Sequence, residues 1–303
     1  MAPRNIYNSA EGRSQILAAY DRANAELGVP LEERMLETRF GSTHILVLGP
    51  PDGPPMVHFH GGNAFNADTL AWYLPLAQTH RIYAPDTVGH PGRSAETRLS
   101  SKDLSYGEWA ADVLDHLALE RTAALGSSFG AGILLRLLAV APERITKAVL
   151  VVPSGVVNPP VWPMLSQLVW PLLRYKLRPG RERARQVLQP LFADAPVDDV
   201  QLDRSDLVFR HYRPIRAMPR PATEAELARF TAPTLVLAGE LDMLFPARLV
   251  LPRVRKIIKG LVAVEQLDGS AHFPGVETRQ HILARVKAFL EGDHRTPAAS
   301  VGS

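Results

Sequence analysis

The sequence predicts an α/β fold in which helices flank a mostly parallel sheet. After residue 39, short apolar runs bounded by Gly, Pro and Asp alternate with segments of helical periodicity. Several of the runs are almost entirely apolar, which is typical of parallel strands that helices cover on both faces. The alternation stops between Pro153 and Phe230 and then resumes, so we predict one large α/β domain that carries an insertion.

The individual elements follow in chain order. Residues 10–27 place apolar side chains at helical spacing, and Ser14 is able to cap this helix while Gly28 is able to end it. Seven apolar runs predict strands: His44–Leu48, Met56–Phe59, Arg81–Ala84, Thr122–Leu125, Ala148–Val152, Thr234–Ala238 and Leu261–Leu267. Four periodic stretches predict further helices: Ala67–Ala77, Tyr106–Leu119, Phe129–Val140 and Thr278–Leu290.

The interruption of the pattern divides the chain into three parts. We predict an α/β core formed by residues 1–154 and 231–293, and a helical cap inserted at residues 155–230. Residues 294–303 are small or polar and lack periodicity, so we expect a flexible tail there.

Composition excludes several classes of function. The chain has 303 residues and no cysteine, which rules out disulfides, thiolate metal sites and a cysteine nucleophile. A formal net charge of +3 is small for a nucleic-acid-binding surface, so no nucleic-acid partner is expected. The sequence shows neither a secretory signal pattern nor an apolar run long enough to span a membrane, and we therefore expect a cytoplasmic protein. The composition does not indicate the oligomeric state.

One motif predicts a nucleophile. Residues 126–130 read Gly-Ser-Ser-Phe-Gly, which is G-x-S-x-G, between a predicted strand and a predicted helix. This is the context of a nucleophile elbow, in which the glycines let the strand and the helix approach closely while the central serine is strained. Ser128 is therefore the candidate nucleophile, and the N-terminus of the following helix favours a developing oxyanion.

A serine nucleophile requires a base and an acid that orients the base. In this architecture the acid and then the histidine follow the serine along the chain, each after a later strand. Asp242 follows the strand Thr234–Ala238, and His272 follows the strand Leu261–Leu267. We expect His272 to take and return the serine proton and Asp242 to orient its ring. Glu240 is a rival for the acid, but it lies closer to the strand, so we prefer Asp242.

A second motif predicts the oxyanion hole. The strand that begins at Met56 runs into His60-Gly-Gly-Asn, a loop of small residues that allows close approach of the backbone to a carbonyl oxygen. We expect the backbone N–H of Phe129 to supply one donor and that of Gly62 or Asn63 to supply the other. His60 either shapes this loop by hydrogen bonding or contacts substrate.

A histidine pair and a loop near these motifs are also candidate functional sites. The histidines of His58-Phe59-His60 lack the acidic neighbours that usually complete a metal site, so no metal is predicted. The segment Asp86–Ser94 has the turn chemistry of a loop beside the pocket, and its His90 is a minor candidate for substrate contact.

Together, the elbow, the His-Gly loop, the Asp-x-x-Gly-His-x-Gly-x-Ser loop and the late acid and histidine resemble the α/β-hydrolase superfamily over residues 38–291. The leading helix, Val29-Pro30, residues 38–50 and Pro54-Pro55 look like the N-terminal region of bacterial carboxylesterases. The resemblance implies an α/β-hydrolase fold with a sheet of about eight strands and a helical cap after the sixth strand. It also implies that residues 155–230 roof the active site.

The motifs and the resemblance predict a serine hydrolase that cleaves small-molecule carboxylic esters through an acyl-enzyme, without a cofactor. Because position 128 is serine, the aspartate-nucleophile chemistry of epoxide hydrolases and haloalkane dehalogenases is disfavoured. The same triad would serve a C–C bond hydrolase or a cofactor-free haloperoxidase, and a non-catalytic binding protein would keep the pocket without turnover.

The cap leaves further alternatives open. Trp162 and Trp170 lie in an apolar segment for which three roles are open. The segment contacts substrate, or it packs on the pocket mouth as a cap helix, or it binds a lipid interface as in a lipase. Residues 157–229 hold twelve basic and eight acidic side chains, so the small excess of positive charge lies in the cap. Its basic run, with Arg174 and Arg178, either steers anionic substrates or forms a solvated helix face.

Overall fold

Strands and helices alternate along the chain in a computed structural model that describes residues 5–193, 195–215 and 217–292. The strands are Glu32–Thr38 (β1), Gly41–Leu48 (β2), Pro55–Phe59 (β3), Arg81–Pro85 (β4), Thr122–Ser127 (β5), Ile145–Val151 (β6), Thr234–Gly239 (β7) and Leu261–Leu267 (β8). The α-helices in these ranges are Ala10–Ala25 (α1), Asn66–Leu70 (α2), Ser105–His116 (α3), Phe129–Val140 (α4), Val161–Met164 (α5), Trp170–Leu177 (α6), Arg181–Phe192 (α7), Asp199–His211 (α8), Ala247–Ile257 (α9) and Val276–Glu291 (α10). Two 3-10 segments, Ala71–Gln78 and Pro142–Arg144, and a π-helical turn, Leu165–Val169, complete the secondary structure.

All strands join one sheet in the order β1-β2-β4-β3-β5-β6-β7-β8. Strand β2 runs antiparallel to both of its neighbours, and every pair from β4 to β8 is parallel. The predicted fold, a mostly parallel sheet of eight strands flanked by helices, is confirmed. Because the parallel strands end at the same edge, the loops after β3, β5, β7 and β8 meet there.

Helices cover both faces of the sheet and bury two apolar clusters. Helices α3, α4 and α9 contribute to one cluster and helices α1, α2 and α10 to the other. The side chains of β7 alternate between them, since Val236 packs into the first cluster and Leu235 into the second. This two-sided burial explains the almost continuous apolar runs in the sequence.

Two predicted helices differ in detail. The first helix is capped by Ser9, whose side chain accepts a hydrogen bond from the Gly12 N–H, and not by Ser14. The predicted helix Ala67–Ala77 is wrong as a single α-helix, because it divides into α2 and the 3-10 segment Ala71–Gln78. Pro75 lies in that second part, where it lacks the N–H that a regular α-helix would use.

Two elements have no counterpart in the sequence-based assignment. Strand β1 is an edge strand with an exposed or half-exposed side chain at every position, and its charged residues hide the apolar pattern of a strand. Helix α9 contains Pro252 and shows the strongest segregation of apolar residues to one side among the described helices. Its proline obscured an otherwise amphipathic pattern.

The stretch between β6 and β7 contains helices α5 to α8 and, among its described residues, no strand of the sheet. This agrees with a helical insertion, while the cap boundaries at residues 155 and 230 stay predictions. The predicted tail, residues 294–303, lies outside the described residues. None of the helices in the described ranges is long and apolar enough to cross a membrane.

Candidate active site

Ser128 lies at the turn between β5 and α4 in a strained conformation. Its φ of 51° and ψ of −115° are rare for a residue with a side chain and cost about 1–3 kcal/mol. The flanking glycines make the turn possible, because a Cβ on Gly126 would lie 2.5 Å from the Gly130 carbonyl oxygen and a Cβ on Gly130 would lie 2.0 Å from that of Phe59. The sequence therefore folds into an elbow that presents the serine side chain at the carboxyl edge of the sheet.

Three side chains join in a hydrogen-bonded chain at this edge. Ser128 Oγ lies 2.8 Å from His272 Nε2, and His272 Nδ1 lies 2.8 Å from Asp242 Oδ2. Asp242 and His272 are both buried, whereas Ser128 is partly exposed. The structure thus brings together the three residues that the sequence proposed as nucleophile, base and acid, which are separated by up to 144 positions.

The second oxygen of Asp242 is also engaged. Oδ1 accepts hydrogen bonds from the backbone N–H groups of Leu244 (2.8 Å) and Phe245 (2.9 Å). These bonds fix the rotation of the carboxylate, so that Oδ2 is aimed at the imidazole. A carboxylate held in this way favours the His tautomer that carries its proton on Nδ1 and leaves Nε2 free to accept the serine proton.

Glu240, the rival for the acid, has a different role in the structure. Its exposed carboxylate accepts a 2.8 Å hydrogen bond from the Gly269 N–H, in the turn that leads to His272. The same turn is closed by a 2.9 Å bond from the Leu241 N–H to the Ser270 carbonyl. Glu240 therefore supports the loop that carries His272 and does not contact the imidazole ring.

The residues predicted to supply the oxyanion hole lie beside the elbow. Phe129 is the first residue of α4, where an N–H group has no intrahelical acceptor. Gly62 lies against it, since a Cβ on Gly62 would approach the Phe129 Cβ to 3.0 Å. The N–H of Asn63, the other candidate, already donates a 3.2 Å hydrogen bond to His90 Nδ1. This geometry favours Gly62 over Asn63 as the second donor.

Asn63 instead joins the candidate oxyanion loop, residues 60–63, to the inserted segment. Its side chain accepts a 2.8 Å hydrogen bond from the Ile215 N–H and donates a 3.1 Å bond to the Ile215 carbonyl. Its backbone is left-handed, with φ 55°, a conformation that asparagine tolerates better than most residues. Asn63, which the sequence offered as an oxyanion donor, thus lies at a contact between the α/β core and the insertion.

His58 and His60 are buried next to the candidate site. His60 Nδ1 lies 2.7 Å from the Gly61 carbonyl, and His60 Nε2 accepts a 2.9 Å bond from the Thr87 N–H. With both nitrogens used and the ring buried, the structure favours a loop-shaping role for His60 over substrate contact. Burial also lowers the pKa of His60, and it lowers that of His58 to about 3 with a smaller contribution from repulsion by His60.

His90 is buried between the oxyanion loop and the elbow. Its ring centroid lies 4.8 Å from that of Phe129 and 5.7 Å from that of His60. Burial, followed by repulsion from His60 and Arg98, holds the pKa of His90 well below 6.5. His90 Nδ1 accepts the hydrogen bond from the Asn63 N–H. Its contact with the Asn63 N–H makes it a support of the oxyanion loop.

Sequence reasoning missed one contributor to the elbow. Ser154 donates through Oγ (3.0 Å) and through its backbone N–H (3.2 Å) to the carbonyl oxygen of Ser128. These two bonds satisfy the carbonyl acceptor of the strained residue. The signal was available, since Ser154 follows a predicted strand at the same edge of the sheet.

The two tryptophans proposed for substrate binding lie on the outside of the insertion. Trp162 is 79% exposed and Trp170 is 60% exposed. A side chain that encloses a ligand is normally covered by the pocket wall, so their exposure does not support the substrate role. A surface cavity of about 650 Å³ lies elsewhere, near Val29 and Leu74, and includes no residue of the candidate site.

Comparisons with known proteins agree with this architecture. A sequence profile of the alpha/beta hydrolase family matches residues 56–286. Carboxylesterase YbfK of Bacillus subtilis is 26% identical over 300 residues, which span 94% of this chain and 97% of that protein. A crystal structure of carboxylesterase CesB (YbfK) from Bacillus subtilis superposes with a TM-score of 0.80 at 24% identity, covering 93% of this chain and 99% of that one.

One further solved structure and one further sequence relative are similar to this chain. The crystal structure of naproxen esterase from Bacillus subtilis superposes with a TM-score of 0.79 at 21% identity, covering 93% of this chain and 99% of that one. A 2-hydroxymuconate semialdehyde hydrolase of Pseudomonas putida is 26% identical over 270 residues, which span 79% of this chain and 88% of that protein. The structural likenesses, both below 25% identity, show the common fold.

Proposed function

Since this chain belongs to the α/β hydrolase family, we propose that it is a serine carboxylesterase in which Ser128, His272 and Asp242 form the catalytic triad. The hydrogen-bonded chain Ser128–His272–Asp242 on a strained elbow is the observation that carries the proposal. The carboxylesterase relatives, which align over most of both chains, support ester cleavage as the reaction.

The reaction proceeds by acyl transfer. Ser128 Oγ attacks the ester carbonyl carbon while His272 Nε2 takes the hydroxyl proton. The tetrahedral intermediate collapses, its C–O bond to the alcohol breaks, and the imidazolium returns the proton to the departing alkoxide. Water then gives a proton to His272, attacks the acyl-serine carbonyl and releases the carboxylic acid together with the regenerated serine. Asp242 stabilises the imidazolium in both halves of the cycle.

The charge that develops on the carbonyl oxygen is stabilised by backbone donors. We assign the two N–H groups of Phe129 and Gly62 to this oxyanion hole, because the Asn63 N–H is directed at His90. Removal of one such donor typically costs about 10²–10³ in kcat. The proposed reaction requires no cofactor, and residues 155–230 are proposed as the cap over the site. A cytoplasmic location stays a prediction, which fractionation of cells followed by immunoblotting tests.

The decisive experiment compares two adjacent serines. Ser128→Ala is expected to lower kcat on p-nitrophenyl acyl esters by at least about 10³-fold and to abolish labelling by a fluorophosphonate probe. Ser127→Ala is the matched control, because Ser127 is buried and its Oγ lies 2.9 Å from the Tyr73 hydroxyl. It is expected to keep the labelling.

The same assay selects among reaction classes. A series of esters of graded acyl length defines the substrate preference, and a vinylogous diketone of the meta-cleavage type tests C–C bond hydrolysis. Turnover of the diketone without turnover of any ester would overturn the carboxylesterase assignment while retaining the triad. Full esterase activity in Ser128→Ala would overturn both.

A further inference from the structure

Helix α5, the π-helical turn and α6 form one continuous helical stretch, Val161–Leu177, on the outside of the insertion. One side of this stretch faces inward. Leu168 and Leu172 pack against the larger apolar cluster, and Tyr175 is fully buried with its hydroxyl 2.7 Å from Asp206 Oδ1. The stretch is therefore anchored to the molecule by the buried Tyr175 and the partly buried Leu168 and Leu172.

The opposite side of the stretch is apolar as well. We call its exposed large side chains the apolar stripe: Val161, Trp162, Leu165, Trp170, Leu173 and Leu177. Leu165 and Trp170 are five residues apart across the π-helical turn, whose longer repeat keeps them on a common side. Leu177 is 88% exposed and Leu173 is 53% exposed. A contiguous exposed stripe of this kind marks an interaction surface, whereas scattered exposed leucines do not.

Basic side chains border the C-terminal end of the apolar stripe. Arg174 and Arg178 are exposed, and neither makes an ion pair within the ranges that the structure describes. No acidic residue occurs in the sequence between Glu143 and Glu182. The more distant Arg181 is paired with Asp199 and Asp203 of α8, so the uncompensated positive charge is concentrated beside the stripe.

We propose that the apolar stripe and its two arginines bind the surface of an anionic lipid bilayer. Tryptophan and leucine side chains enter the boundary between headgroups and acyl chains, and arginines beside them pair with lipid phosphates. The stretch is too short to span a bilayer, so it lies in the plane of the interface.

The charge pattern favours lipid over other occupants. A second copy of the chain would bring an identical helical stretch, with its two arginines and no acidic residue, so a contact between two such stretches would leave their positive charges unpaired. The stripe is also a convex line along one helix, which a fluid bilayer accommodates without a complementary groove. This inference concerns binding alone and does not depend on the proposed ester hydrolysis.

Vesicle binding tests the proposal with the full chain carrying Ser128→Ala, which prevents turnover of lipid. We expect cosedimentation with vesicles of phosphatidylcholine and phosphatidylglycerol, weaker binding to phosphatidylcholine alone, and a loss of affinity at high salt. Because Trp72 and Trp109 are buried, the emission of Trp162 and Trp170 reports on the interface. Their fluorescence should shift to shorter wavelength on binding and become protected from an aqueous quencher.

Two pairs of variants separate the apolar and electrostatic contributions. Leu173→Ser with Leu177→Ser keeps both reporter tryptophans and should weaken binding by about 10-fold or more. Its matched control is Met35→Ser with Val276→Ser, which removes two exposed apolar side chains on other elements.

Arg174→Gln with Arg178→Gln should lower the affinity for anionic vesicles by about 10-fold or more and reduce its salt dependence. Arg255→Gln with Lys256→Gln removes the same charge from the exposed end of α9 and should bind as the parent does. Thermal unfolding of each variant verifies that the fold is retained.

Three results would overturn the proposal. One is the absence of binding to anionic vesicles at low salt, which would leave a protein partner as the occupant. Another is binding that the leucine variant and its control weaken equally. The third is a concentration-dependent dimer, seen by light scattering after size exclusion, that the leucine variant converts to a monomer.

Discussion

At the scale of single residues, the acid of the candidate triad is defined by the bonds that each carboxylate makes. Asp242 uses one oxygen for two backbone N–H groups and the other for His272, whereas Glu240 bonds only to the backbone of the His272 loop. Both residues follow β7, and only the direction of their side chains separates them. Substitution of each carboxylate in turn therefore distinguishes their roles.

Asp242→Asn should lower kcat by about 10³–10⁴-fold, because an amide in this position disturbs the imidazole tautomer and cannot stabilise its cation. Glu240→Gln retains an oxygen that accepts from the Gly269 N–H, so its kcat should change by less than about threefold. Steady-state kinetics on one p-nitrophenyl ester measures both. A large loss for Glu240→Gln together with a small one for Asp242→Asn would assign the acid to Glu240.

His90 supports the oxyanion loop through the Asn63 N–H, and its replacement tests this role. His90→Leu removes the acceptor and should lower kcat by about 10-fold with little change in KM, because a loosened loop stabilises the oxyanion less well. His90→Gln offers an oxygen acceptor and should recover part of the loss. A defect confined to KM would instead indicate that His90 contacts substrate.

At the scale of elements, helix α4, which follows the candidate nucleophile, anchors the end of the insertion. Arg136 of α4 is buried, lies 3.4 Å from Glu226 and donates a 3.1 Å hydrogen bond to the Arg220 carbonyl. Glu226 also pairs with the side chain of Arg220 and accepts from Thr223. This cluster holds the returning chain against the helix that begins at the candidate nucleophile.

Glu226→Gln leaves the Arg136 guanidinium without a charged partner and should lower the free energy of unfolding by about 1–3 kcal/mol. Glu224→Gln, at an exposed site two residues away, is the matched control. Chemical denaturation at neutral pH measures the difference. Equal stabilities of the two variants would show that the cluster contributes nothing to the fold.

The same cluster predicts a pH dependence. Burial raises the pKa of Glu226, but its bonds with Arg220 and Thr223 and the charge of Arg136 outweigh burial and hold the pKa at about 2. A lowered folded-state pKa stabilises the protein above the unfolded value, and the contribution disappears as pH falls from about 4.5 towards 2. The stability difference between wild type and Glu226→Gln should therefore shrink over that range.

At the scale of the whole molecule, a buried polar network joins the N-terminal helix to the loop after β4. The Tyr20 hydroxyl donates a 3.0 Å bond to Asp86 Oδ1, and His44 Nδ1 lies 3.2 Å from Asp86 Oδ2. Asp86 also accepts from the Arg93 N–H, and Ser94 donates to the Asp86 carbonyl. The loop that holds His90 is thereby connected to the first helix.

Tyr20→Phe removes one donor to the buried Asp86 carboxylate and should lower the free energy of unfolding by about 1–2 kcal/mol. Tyr83→Phe is the control, since Tyr83 is half-buried and its hydroxyl makes no side-chain hydrogen bond within the described ranges. Denaturation curves of the two variants are compared. A cost for Tyr20→Phe no larger than that for Tyr83→Phe would exclude a stabilising role for this bond.

Much of the architecture follows from local sequence patterns. All seven predicted strands occur. Interior strands such as β7 leave an apolar run because they are buried on both faces, and the partly exposed edge strand β8 keeps a short apolar run at its start. Strand β1 escaped prediction because an exposed edge imposes no such pattern. The proposed catalytic residues could be selected because each one follows a strand, and a parallel sheet collects those positions at one edge.

By itself, the sequence determined the fold class, the elbow at Ser128 and the order in which an acid and a histidine follow it, since these depend on short local segments. Only the tertiary structure decided that Asp242 faces His272, that the Asn63 amide is occupied by His90, and that the outer side of residues 161–177 is apolar. The physical reason is distance along the chain. The contact between Asn63 and Ile215, for example, joins residues 152 positions apart. Such hydrogen bonds, and the exposure of individual side chains, arise from tertiary packing that no local sequence pattern encodes.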